Sequence, residues 1–196
     1  MKQSLFAIFV TTLTLNVAAK SQPVDWVNPF IGTSNFGATH PGAQFPHGMA
    51  SVVPFNVAFK QGAENPFEKD ASWHSRPYVH DNKFLTGYSH VNLSGVGCPD
   101  LGSILFMPTR GELQLDPEQY GSTYSNEVAT PGYYSSTLNK YNIQAELGST
   151  LRTGISRYSF PAGKANILLN LGLGLTNESG AMLRVVGNDE VEGFKM

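Results

Sequence analysis

The sequence predicts an all-β chain, an antiparallel β-sandwich with long loops. Three observations carry that reading. Residues 143–153 alternate strictly, with Ile143, Ala145, Leu147, Ser149 and Leu151 on one side and Gln144, Glu146, Gly148, Thr150 and Arg152 on the other. Such a period of two marks a sheet with one buried and one wet face. Strand-like runs recur at short intervals, separated by Gly, Pro, Asn and Asp, as in sandwiches. No segment sustains a helical period.

The elements follow in chain order. Lys2, the apolar run 5–15, and Val17 and Ala19 ahead of Lys20 read as a secretory leader over residues 1–19, with an exported domain over 20–196. The apolar run falls short of the roughly 20 residues a bilayer span needs. The domain opens with VDWVNPFIGT (24–33), where Trp26 is expected in the core and Asn28-Pro29 favours an extended turn. Residues 39–55 hold too many prolines for a helix and lead from a loop into a short strand at 49–53. Residues 60–81, the most polar stretch, read as a long loop carrying Trp73, His74 and His80.

Residues 87–102, GYSHVNLSGVGCPDLG, read as a glycine-rich loop with strand at its flanks. Glycine at this density lets backbone take positive φ or approach a ligand closely. A strand at 103–107 is expected to close at Pro108. Further strands are expected at 132–138, 143–153 and 154–160. Another at 165–175 places Ile167, Leu169, Leu171, Leu173 and Leu175 on one face. A last pair over 182–194 turns at Gly187-Asn188-Asp189. The end of the chain within or just after a strand suggests an edge needing cover and a longer natural context.

Composition excludes several functions. Of the 196 residues 41% are apolar and only 14% charged, with net charge −2 and no basic run, so electrostatic nucleic-acid binding has no support. The single cysteine, Cys98, rules out an internal disulfide framework and leaves that thiol either buried or part of a site. All five histidines fall between residues 40 and 90, yet their spacing matches no zinc motif. Ser94 lacks the Gly-x-Ser-x-Gly elbow of a serine hydrolase, since Asn92 stands where the first glycine belongs. Asn92-Leu93-Ser94 and Asn177-Glu178-Ser179 match the glycosylation pattern, which matters only in a eukaryotic secretory route. Trp73 on its polar loop suits either stacking on a pyranose ring or anchoring the loop to the sandwich. Asp100, Ser89 and Ser94 suit either sugar hydroxyls or turn backbone, and draw weight from sharing the loop with His90 and Cys98.

Six segments, in order, carry a family resemblance: VNPFIGT (27–33); PGA (41–43) with PHGM (46–49), where His47 stands for a usual phenylalanine; GYSH (87–90) with LSG (93–95), GC (97–98) and Asp100; PGYY (131–134); AEL (145–147); and RYSFP (157–161). Together they resemble the N-terminal domain of glycoside hydrolase family 92, the calcium-dependent exo-acting α-mannosidases. The resemblance implies a supersandwich of the galactose-mutarotase kind followed by a larger α-helical barrel, with the active site between them. It implies that the general acid, the general base and the calcium ligands come mainly from the helical part. An inverting glycosidase sets its two carboxyl groups about 6.5–9.5 Å apart. Carried over by motif, His90, Ser94, Gly95, Cys98 and Asp100 line or support the sandwich side of a mannose site, and Trp73 faces the leaving sugar. The expectation is a glycan-binding module, inactive alone, whose partners are a mannose-containing glycan and a separate catalytic domain. A stand-alone sugar binder and a structural sandwich remain the alternatives.

Overall fold

A computed structural model describes residues 21–58, 75–97, 99–176 and 179–196. The proposed leader, Trp73, His74 and Cys98 lie outside the described residues. Strands β1 (Ala43–Gln44), β2 (Ser51–Phe55), β3 (Phe84–Leu85), β4 (Gly87–Asn92) and β5 (Leu101–Arg110) precede a single helical turn, α1 (Pro117–Tyr120). Then come β6 (Ser122–Thr130), β7 (Tyr133–Leu138), β8 (Ile143–Ser149), β9 (Gly154–Ser159), β10 (Ala165–Asn170), β11 (Ala181–Val186) and β12 (Glu190–Lys195). One five-stranded sheet runs β1-β2-β4-β5-β10 and the other β3-β6-β7-β8-β9; β11 and β12 form a separate hairpin. Every pairing is antiparallel, so the architecture is the expected all-β sandwich.

The alternation in β8 does what its period dictates. Ile143, Ala145 and Leu147 are buried against Val52, Val53 and Met107 of the facing sheet. On the wet face Glu146 pairs across the ladder with Arg157, whose guanidinium donates two 2.7 Å hydrogen bonds to it. The core is rich in tyrosine. Tyr78, Tyr88, Tyr120 and Tyr134 are among its largest fully buried side chains, and each hydroxyl has a partner: Glu127 for Tyr78 and Tyr134, Ser136 for Tyr88, Asn170 for Tyr120. Burial without a partner would cost about 1–3 kcal/mol apiece.

Four expectations are corrected. Trp26 is 79% exposed rather than buried; it ends a 3-10 turn, Pro23–Trp26, with no buried residue. β5 runs through Pro108 to Arg110 instead of closing there. Pro108 pairs with Ile167 of β10, while β4 supplies no partner at that level, so its missing N–H interrupts no ladder. The run after residue 143 stops at Ser149, because Thr150 Oγ1 accepts from the Arg152 and Thr153 amides and turns the chain into β9. The run after 165 stops at Asn170, whose Oδ1 accepts from the Gly172 and Leu173 amides; this turn takes Leu171 to Leu175 off the expected strand face. The last hairpin turns at Gly187–Asp189 as read, with Gly187 at φ 74°.

Candidate functional site

The Gly-rich segment is a strand, a loop and a strand. Its first third, Gly87–Asn92, is β4 itself, and β5 begins at Leu101. The base of the loop is pinned by side chains: Ser89 Oγ donates to Asn92 Oδ1 at 2.6 Å, and Asn92 Nδ2 donates to the Ser51 carbonyl at 3.0 Å. The loop then docks on the N-terminal segment. The Gly95 amide donates to the Ala38 carbonyl at 2.8 Å, and the Gly95 carbonyl accepts from the Ser75 amide at 3.0 Å. Gly95 has φ 131° and open space where a Cβ would lie.

The 32–39 loop beneath it is equally constrained. A Cβ on Gly37 would fall 2.0 Å from the Gly32 carbonyl oxygen. Arg76, buried, reaches across with Nη1 donating to the Asn35 and Gly37 carbonyls at 2.7 and 3.1 Å. The His80 amide donates to Thr33 O at 2.9 Å. Three loops distant in sequence thus form one end of the sandwich.

His90 sits on β4 with Nδ1 at 3.1 Å from both the Tyr88 and Ile104 carbonyls. Two acceptors at one nitrogen fix the proton on Nδ1 and leave Nε2 as the acceptor. Its ring packs edge-on to Phe106 and burial pushes its pKa down, against the two carbonyl hydrogen bonds. Ser94 is exposed on the loop. Asp100 is exposed; its Oδ1 accepts from the Leu101 amide at 2.7 Å and from Thr176 Oγ1 at 3.3 Å. It opens onto a cavity of about 360 Å³ lined also by Val91, Ser103, Ile104, Thr176 and Lys195. The geometry therefore sorts the residues read from sequence: Ser94 and Asp100 are exposed on the loop, Gly95 is half-buried where the loop docks, and His90 lies behind it in the sheet. Arg76 and Thr176 escaped the sequence reading, since Arg76 meets the 32–39 loop and Thr176 meets Asp100 only through tertiary folding.

The backbone beneath the cavity is unusual. Leu101 and Ile104 have φ of 64° and 58°, a costly conformation for bulky and β-branched residues. Gly102 at φ 63° could not be replaced freely, since a Cβ would lie 2.9 Å from Phe55 Cε2. Among the described residues no three His, Cys, Asp or Glu side chains gather as a metal cage, and no helix is long and apolar enough to cross a membrane.

The sandwich is similar in fold to solved glycosidases. A GH92 α-mannosidase of Bacteroides thetaiotaomicron superposes with TM-score 0.77 and 33% identity; solved with mannoimidazole, it gives 0.76 and 35%. In both cases the match covers 88% of this chain and 23% of the mannosidase. A GH92 inverting mannosidase of the same organism shares the fold at TM-score 0.63 and 23% identity, over 89% of this chain and 23% of its own. A protein of Arthroderma benhamiae named as an uncharacterized secreted glycosidase is 28% identical over 152 residues, 71% of this chain and 18% of the relative. The glycosyl hydrolase family 92 N-terminal domain matches residues 26–196. The chain belongs to that family. It spans about a quarter or less of the length of the proteins it matches.

Proposed function

We propose that residues 20–196 form the sandwich wall of an α-mannoside site in an exported glycosidase, with residues 1–19 as its leader, and that the chain is inactive alone. The observation that carries this reading is the docked loop 93–100, which presents Gly95 and Asp100 at one end of the fold, beside an open cavity. In this reading Gly95, Ser94 and Asp100 face sugar hydroxyls and His90 holds the β4 end of the loop from behind. Cys98 and Trp73 are assigned to the same wall from their motif and loop alone. The acid, the base and calcium belong to the remainder of the family fold; the residues described here offer no cage for the cation. Calcium there would supply charge for orienting sugar oxygens.

The surface beside the loop suits a protein partner. Ile31, Phe36 and Val96 are 74%, 89% and 77% exposed on loops that hydrogen-bond to one another. Large apolar side chains exposed on neighbouring loops mark an interaction surface. It fits a separate catalytic domain closing over the loop end better than a stand-alone lectin site.

The test is hydrolysis of α-linked mannobiose by the purified chain with calcium present. No release of mannose is expected. Turnover by this chain would overturn the reading.

A further inference from the structure

The opposite end of the sandwich holds a cleft unlike the rest of the surface. Arg110, Lys140 and Lys164, with Gly111, Tyr141 and Gly163, line a cavity of about 300 Å³. No acidic side chain lines it, in a chain of net charge −2. Glu112 follows in the same turn but is not part of the lining. The ion pairs among the described residues, Lys83–Glu127, Arg157–Glu146 and Arg184–Glu192, leave all three cations out. A cavity of that volume is roughly 8 Å across, about one Debye length at physiological salt. Three exposed positive charges therefore line one small open cleft, within about a Debye length of one another.

Two of the three cations, Arg110 and Lys140, are held in place without being neutralised. Arg110 ends β5 opposite Ala165, and its Nη2 donates to the Ala162 carbonyl at 2.7 Å. The guanidinium lies along the turn, where Gly163 leaves room; a Cβ there would fall 3.1 Å from Nε. Lys140 is tethered to the Gln119 carbonyl and sits 5.4 Å over the Tyr141 ring. Tyr141 is buried as the floor, its hydroxyl donating to Tyr120 O at 2.9 Å. Carbonyl partners orient a cation and leave its charge uncompensated, and a guanidinium keeps a planar fork of donors for an oxyanion.

We propose that this cleft binds an oxyanion, the sulfate, phosphate or carboxylate group of a charged glycan. The assignment is independent of the mannoside reading: the ten residues of β5 put the cleft about 30 Å from the 93–100 loop. It would add an anchoring point for acidic glycans away from the mannose wall.

The experiment is a 15N–1H titration of the full chain at constant ionic strength, replacing chloride by inorganic sulfate or phosphate. A second arm uses a sulfated oligosaccharide and its desulfated counterpart. Saturable shifts at Gly111, Gly163 and Lys164 are expected, with about three- to fivefold weaker affinity in Lys164→Gln and in Arg110→Gln. Arg152→Gln, at the other end of the sheet, should leave the affinity unchanged. Response to the free ions marks a site for the anion itself; response to the sulfated sugar alone marks one that also needs the ring. Shifts that never saturate, that survive both cleft variants, or that the desulfated sugar reproduces would overturn the proposal.

Discussion

Gly154 at the start of β9 lies flat against the imidazole of His90. A Cβ there would come 2.8 Å from His90 Cδ2 and 2.7 Å from Val52 Cγ2. The contact joins the two sheets at the end of the sandwich that carries the docked loop. Gly154→Ala should therefore destabilise the fold by about 1–3 kcal/mol through overpacking. Urea unfolding of the two proteins measures it.

The histidines make stability pH-dependent. Burial lowers the pKa of His40 to about 4, and its buried Nδ1 has no hydrogen-bond partner among the described residues. Burial lowers that of His90 as well. Below the ordinary histidine value near 6.5 the unfolded chain binds more protons than the folded one, so unfolding free energy falls as pH drops from about 6.5 toward 4. Above that window the effect vanishes. The loss between pH 7.5 and 4.5 should be about 2 kcal/mol larger in wild type than in the His40→Gln, His90→Gln double variant. Equal losses would refute the assignment.

Glu127 anchors the segment that holds the loops. Its Oε1 accepts from the Tyr78 and Tyr134 hydroxyls at 2.8 and 2.9 Å, and Oε2 pairs with Lys83 at 3.1 Å. Burial holds both phenols above their ordinary pKa, so they remain donors. Glu127→Ala takes the shared carboxylate from two buried hydroxyls, leaving Tyr78 the longer 3.2 Å contact with His80 Nδ1, and should cost about 3 kcal/mol, against about 1 for Tyr134→Phe. Chemical denaturation with both variants checks the ratio.

Gly102 answers to two constraints at once, a φ of 63° and the Phe55 and Leu175 side chains at its absent Cβ. Gly102→Ala should cost about 2–4 kcal/mol, adding backbone strain to overpacking. A cost below about 1 kcal/mol would mean that the strand relaxes around the substitution.

Burial of one face made β8 legible but not β6, whose inner side buries Ser122 and Tyr124 and which the sequence did not announce, while β11 and β12, exposed on both faces, were legible from their turn. β8 and the β11–β12 hairpin announce themselves through alternation and a Gly-Asn-Asp turn. The misreadings have local causes. Pro108 looked like a stop because sequence does not show which strand edge it occupies. Asn170 hid a turn made by its own side chain. Trp26 looked buried because apolar neighbours in sequence need not be neighbours in the core. The loop at 93–100 was visible as glycine density, yet its docking on Ala38 and Ser75 rests on main-chain groups that carry no sequence signal. Arg76 and Thr176 were invisible for the same reason, since partners about 40 and 76 residues away cannot be read from spacing.

The most direct test of the mannoside-wall account is a 15N–1H titration of the chain with mannose and α-mannobiose up to millimolar concentrations. The account predicts weak, saturable shifts centred on Gly95, Asp100 and Leu101, since half of a composite site offers few contacts. Unmoved resonances in that loop, or shifts clustered elsewhere on the sandwich, would contradict it.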